Sequence, residues 1–120
     1  MATILIVEDT AANLALATKL LQAAGHEVLG ADSGVTGVAL ATERLPDLVL
    51  MDLGLPDIDG WEALRRLRAS PRGDELRVVA FTAHAMVGDR ERALAAGFDG
   101  YLSKPIDFAT FAASVAGLLE

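Results

Sequence analysis

The chain has 120 residues, 52% hydrophobic and 22% charged, with a formal net charge of −7 and no cysteine. That length suits one domain with a single core, and the composition is far from the polar, charge-rich signature of disorder. The acidic balance disfavours nucleic-acid phosphates and anionic membranes as partners, and the lack of cysteine excludes disulfides, thiolate catalysis and cysteine-ligated metal centres.

Thr3 to Val7 is β-branched and aliphatic throughout, the pattern of a strand buried on both faces. It stops at Glu8 and Asp9, too soon for a signal-peptide core or a membrane span, so a cytoplasmic protein is expected. Leu14, Leu20 and Leu21 recur near helical spacing between Ala11 and Ala24, with Gly25 as the stop signal and Asp9 or Thr10 as the candidate N-cap. Glu27 to Ala31 reads as a second strand. Gly34 to Leu45 reads as a helix entered through Asp32 or Ser33 and ended by Pro46. Leu48 to Met51 is another buried-strand run, terminated by Asp52, and Leu53 to Asp59 is loop.

A third helix is expected from Gly60 or Trp61 to about Ala69, with Trp61 packing it and Arg65, Arg66 and Arg68 on a solvated face. Ser70 to Asp74 reads as a turn, Leu76 to Phe81 as a strand, Val87 to Ala96 as a helix capped by Gly97, and Tyr101 with Leu102 as a short strand. Asp107 is the predicted N-cap of a last helix whose apolar residues are Phe108, Phe111, Val115, Leu118 and Leu119. His26 and His84 read as exposed residues without a ligand role.

Strands alternating with helices over the whole length predict a doubly wound α/β fold with a five-stranded parallel sheet. In such sheets the functional crevice lies outside the carboxyl ends of the strands. In a flavodoxin-like order, 2-1-3-4-5, the strand ends carrying Glu8, Asp9, Asp52, Thr82, Ser103, Lys104 and Pro105 would share one rim. Three carboxylates at close quarters repel one another and call for cations. Lys104 supplies one charge, and a hard divalent ion such as Mg²⁺ suits the oxygen donors and phosphate ligands. An aspartate carboxylate can attack phosphorus, so the rim suggests phosphoryl chemistry, with the Thr82 hydroxyl available to a phosphoryl oxygen.

Glu8-Asp9, the stretch Met51-Asp52-Leu53-Gly54-Leu55-Pro56 with Gly60 behind it, Thr82-Ala83 and Lys104-Pro105 together resemble the response regulator receiver domains of two-component signalling. The likeness runs from the first strand to the last helix, and is greatest to DivK-type single-domain regulators and the receivers of hybrid kinases. It implies Asp52 as phosphoacceptor, Asp9 and Asp52 as direct Mg²⁺ ligands, the Gly54 carbonyl as another, and Glu8 acting through water. Many members carry aspartate at the position of Glu8. It further implies Lys104 in contact with acceptor and phosphoryl group, Thr82 and Tyr101 as switch residues, and a cis bond before Pro105. Gly54 and His84 are expected to set the phosphoryl lifetime.

The resemblance also implies a histidine kinase or histidine phosphotransfer protein as phosphodonor. Output would go to a protein target through a face made of the fourth helix, fifth strand and fifth helix, with Met86, Val87, Arg90, Arg92, Tyr101 and Phe108. The expected organisation is one receiver domain, 1–120, without an output domain, acting as a monomer or a weak phosphorylation-dependent dimer rather than as a conventional enzyme; a receiver cut from a hybrid kinase is the alternative. Two rivals fit less well. A haloacid-dehalogenase-type phosphatase wants Asp-x-Asp after its first strand, which Val7-Glu8-Asp9-Thr10 does not provide. An FMN module wants a phosphate-cradling loop where Glu8 and Asp9 would repel the phosphate.

Overall fold

The aliphatic runs become the centre of a parallel sheet in a computed structural model that describes residues 2–83 and 88–120. The strands are β1 (Thr3–Val7), β2 (Glu27–Ala31), β3 (Leu48–Met51), β4 (Val78–Thr82) and β5 (Gly100–Ser103). Their order is β2-β1-β3-β4-β5, every neighbouring pair parallel. The helices are α1 (Ala11–Ala23), α2 (Gly34–Arg44), α3 (Gly60–Ala69), α4 (Asp89–Ala96) and α5 (Phe111–Leu119). This is the flavodoxin-like, doubly wound architecture expected from the alternation of elements.

Alternate residues of each central strand feed two separate cores. Leu5, Val7, Val49, Met51, Val78 and Ala80 pack on one face with Ala41 of α2, Ala63, Leu64 and Leu67 of α3, and Ala93 of α4. Ile4, Ile6, Leu48, Leu50, Val79 and Phe81 pack on the other with Ala17 and Leu21 of α1 and Phe111 and Val115 of α5. Burial on both faces is why these strands lack the polar alternation of a half-exposed sheet. Among the described residues no helix is long and apolar enough to cross a membrane.

Several boundaries differ from the sequence reading, each for a local reason. The fourth strand starts at Val78 because Leu76, though buried, ends a 3₁₀ turn (Gly73–Glu75) and gives its carbonyl to Arg68. The last helix starts at Phe111, because the Asp107 carboxylate accepts the Ala109 N–H at 2.8 Å and forms a separate turn. Phe108 sits in that turn, 73% exposed. Neither Asp9 nor Thr10 caps α1 with its side chain; Glu8 accepts the Thr10 N–H. His26 is half-buried, its Nδ1 accepting the Ala2 N–H at 3.2 Å. Arg68 leaves the solvated face and turns inward to backbone carbonyls. The expected start of the fourth helix at Val87 lies outside the described residues, and the helix is described from Asp89, with Gly97 at its end in the left-handed conformation.

Candidate functional site

The sheet register brings the strand ends to one edge. Val7 pairs with Met51, Met51 with Ala80, and Thr82 with Ser103. The ladder runs one residue further, with the Asp52 N–H donating to the Val7 carbonyl at 3.0 Å and the Lys104 N–H to the Thr82 carbonyl at 2.9 Å. Backbone pairing, rather than loop conformation, thus sets where Glu8, Asp52, Thr82 and Lys104 stand, which is the rigid-element placement a chemical site needs.

Glu8, Asp52 and Thr82 are buried polar residues in an otherwise apolar interior, and Asp9 beside them is exposed. The Lys104 Nζ lies 3.2 Å from Asp52 Oδ2 and forms a second ion pair with Glu8 Oε1. Asp52 Oδ1 accepts the Gly54 N–H at 3.1 Å, and Glu8 Oε2 accepts the Thr10 N–H at 3.0 Å. Glu8 Oε1 is buried, and the Lys104 ammonium is its charged partner. Beneath that ammonium lies the Phe81 ring, its centroid 5.1 Å from Nζ, a cation–π arrangement that the sequence reading missed.

Burial raises the Glu8 carboxyl above the ordinary glutamate range, and the neighbouring Asp52 charge pushes the same way. The Lys104 ammonium and the Thr10 N–H oppose this without cancelling it. Burial also raises the Tyr101 hydroxyl, with Asp89 adding to the effect. Tyr101 is half-buried on the face of the sheet shared by α2, α3 and α4.

Carboxylate oxygens of Glu8, Asp9 and Asp52 all lie within 4.8 Å of one another. Three formal negative charges face one ammonium, leaving two uncompensated. The donors are hard oxygens and their negative charge exceeds that of the one ammonium beside them, so the set fits a small divalent cation such as Mg²⁺. A side chain on Gly54 would meet nothing within 4 Å. The Lys104–Pro105 peptide is cis. His84, Met86 and Val87 lie outside the described residues. Of the other expected face residues, Arg90 and Arg92 are exposed on α4, with Arg92 positioned 6.0 Å from the Trp61 ring centre; that ring makes an edge contact with Phe98.

Residues 4–116 match the response regulator receiver domain family. The chain belongs to that family. This receiver domain is 38% identical to the polar-differentiation response regulator DivK of Brucella ovis and of Brucella abortus, over 98% of its own length and 95% of theirs. Among solved structures it resembles the receiver domain of a sensor histidine kinase from Pseudomonas aeruginosa, described with a magnesium ion coordinated in the active-site cleft. That likeness has a TM-score of 0.87 and 35% identity, covering 98% of this chain and 97% of the other. The chemotaxis response regulator CheY4 of Vibrio cholerae superimposes with a TM-score of 0.90, covering 98% of both chains, and at 24% identity it speaks to the fold alone.

One steric feature of the receiver domain bears on how firmly the rim is held. A Cβ on Gly60 would stand 2.5 Å from the Asp52 carbonyl oxygen and 2.8 Å from the Leu53 Cα, both backbone atoms. Gly60→Ala should therefore destabilise the chain by about 1–3 kcal/mol, as overpacking does where the neighbours cannot yield. Urea denaturation of the two proteins measures this, and equal midpoints would show that the segment after Asp52 has slack.

Proposed function

We propose that this receiver domain is the phosphoacceptor of a two-component or phosphorelay system, with Asp52 as the residue modified. The observation that carries the reading is the convergence of Asp52, Glu8 and Lys104 at adjoining strand ends, with Lys104 bonded to both carboxylates. A carboxylate oxygen of Asp52 forms the bond to phosphorus while the bond to the donor breaks, and the donor nitrogen leaves with its electron pair. The Gly54 N–H and the Lys104 ammonium orient the carboxylate for this attack. Lys104 also supplies fixed positive charge where charge develops on the transferring group, in a site where it is partly shielded from water.

Asp9, Asp52 and the Gly54 carbonyl would hold Mg²⁺ directly, with Glu8 acting through a water. Bound there, the ion neutralises phosphoryl and carboxylate charge. Thr82, buried at the end of β4, offers its hydroxyl to the new phosphoryl group, and Tyr101 follows as the second switch residue. Gly54 and His84 set how readily water reaches the phosphoryl group. The domain acts in the cytoplasm, a histidine kinase or histidine phosphotransfer protein is the donor, and the α4, β5 and α5 face, including exposed Phe108, carries the signal to a protein target. The 35% identity to a receiver of a sensor histidine kinase supports a second reading, in which the same chemistry serves a hybrid kinase.

Intact-mass spectrometry after incubation with acetyl phosphate tests the reading. The native chain should gain one phosphoryl group in Mg²⁺ and none in EDTA, and Asp52→Asn should gain none in either. Labelling of Asp52→Asn at the native rate would place the acceptor elsewhere and overturn the assignment.

A further inference from the structure

The loop that follows Asp52 is fastened to a helix that takes no part in the site. Both oxygens of Asp57 accept backbone N–H groups of the first turn of α2, Oδ1 from Gly34 and Oδ2 from Val35, each at 2.8 Å. These two donors are left over by the helix's own cap, since the Ser33 hydroxyl accepts the Thr36 N–H instead. Ile58 presses on the same spot, where a Cβ on Gly34 would come within 2.5 Å of its Cγ1 and 2.8 Å of its carbonyl oxygen. The far end of the loop is closed by the Gly60 N–H on the Leu53 carbonyl at 3.0 Å and by Asp59 capping α3.

Asp57 is exposed, yet its carboxyl is lowered to about 2, first by the Val35 N–H and then by that of Gly34. It is thus ionised, and its charge sits at the positive end of the α2 dipole. A carboxylate with two backbone donors at a helix terminus is a firm polar attachment, added to the apolar one that Leu55 and Ile58 give the loop.

We infer that Asp57 is a positioning residue for the candidate Mg²⁺ site, holding the β3–α3 loop to α2 so that Gly54 and Asp52 are set before the ion arrives. The inference rests on the function proposed above. Gly54 belongs to the same loop and donates its N–H to Asp52 Oδ1, so freeing the loop at Asp57 loosens the acceptor's own surroundings. Partners behind the direct ligands typically govern metal affinity by ~10–100-fold. The exposed setting of Asp57 places the expected effect near the lower end of that range. The coupling is reciprocal, so occupancy of the site should in turn tighten the α2 terminus.

The experiment is isothermal titration of the full chain with MgCl₂, for the native protein, Asp57→Ala, Asp57→Asn and Ser33→Ala. Asp57→Ala should bind Mg²⁺ roughly tenfold more weakly, and Asp57→Asn, which keeps one acceptor oxygen, should fall between it and the native chain. Ser33→Ala, which removes a cap bond at the same helix end without touching the loop, should match the native chain. With acetyl phosphate, Asp57→Ala should need more Mg²⁺ for half-maximal labelling yet reach the native rate at saturation. Amide exchange at Gly34 and Val35 should slow on Mg²⁺ addition in the native chain and not in Asp57→Ala.

Native-like affinity in Asp57→Ala, or equal weakening in Ser33→Ala, overturns the inference and leaves the proposed function standing. Failure of the native chain itself to bind Mg²⁺ overturns both.

Discussion

Lys104→Met should lower the stability of the Mg²⁺-free chain by about 3 kcal/mol at neutral pH, the usual consequence of removing one member of a buried ion pair. The Lys104 side chain is only 10% exposed, and it faces Glu8, which is fully buried, and Asp52. Methionine fills much the same space, so packing changes little while both carboxylates lose their counter-ion. The effect has a defined pH dependence. Glu8 already binds its proton more tightly in the folded chain than in the unfolded one, because burial raises it from the ordinary 4.5. Stability linked to that proton is fully present below the unfolded value and is lost as pH rises through the folded one. Without Lys104 the folded value rises further. The gap between Lys104→Met and native should therefore be small near pH 4.5 and widen toward neutrality, as urea titrations at a series of pH values would reveal. A gap that does not change with pH would mean the loss is one of packing rather than charge.

Arg68→Ala should cost about 2–3 kcal/mol, within the range for charged hydrogen bonds whose removal strands buried acceptors. The Arg68 guanidinium donates to the carbonyls of Gly73, Leu76 and Gly97 at 2.8, 2.7 and 3.0 Å, and to Asp99 Oδ2 at 2.8 Å. It ties the end of α3 to the 3₁₀ turn and to the connection between α4 and β5. Asp99 Oδ2 also accepts the Val78 N–H, so the same group anchors the start of β4. Alanine is the better helix former, which removes propensity as the cause of any loss. Arg68→Lys should recover less than half of it, because one ammonium cannot reproduce the planar fork. Equilibrium urea unfolding measures the difference, and a change below ~0.5 kcal/mol, typical of a solvent-facing residue, would return Arg68 to the helix surface.

The contrast between Arg68 and its neighbours shows where the sequence stops being informative. Arg65 and Arg66 pair with Glu62 on the surface of α3, as a charged helix face should, and hold the Glu62 carboxyl down to about 2. Arg68 has the same residue type and helical context, and only the tertiary position of three carbonyls and the Asp99 carboxylate sets it apart. Strands such as Ile4–Val7 and Leu48–Met51 were legible because burial on both faces leaves a continuous aliphatic run. Leu76 is equally apolar and equally buried, so hydropathy could not place it before the strand rather than within it. Asp107 suits a helix cap and a turn alike, so residue type alone does not separate the turn at Phe108 from the start of α5 at Phe111.

The rim residues Glu8, Asp52, Thr82 and Lys104 are legible because they end or directly follow parallel strands, a rule that needs only strand order. Asp57 and Phe81 escaped it. Asp57 acts through backbone N–H groups that no residue pattern advertises, and Phe81 reads simply as one more inward-facing apolar residue of β4.

Phe81 also touches Phe111, their ring centres 5.9 Å apart, and Phe111 opens α5. One aromatic pair therefore spans the distance between the Lys104 ammonium and the first residue of α5, through the dry interior instead of along the surface. Any event that draws the Lys104 head group toward a new anion changes what rests on the first ring, and the second ring is the next thing that ring leans on.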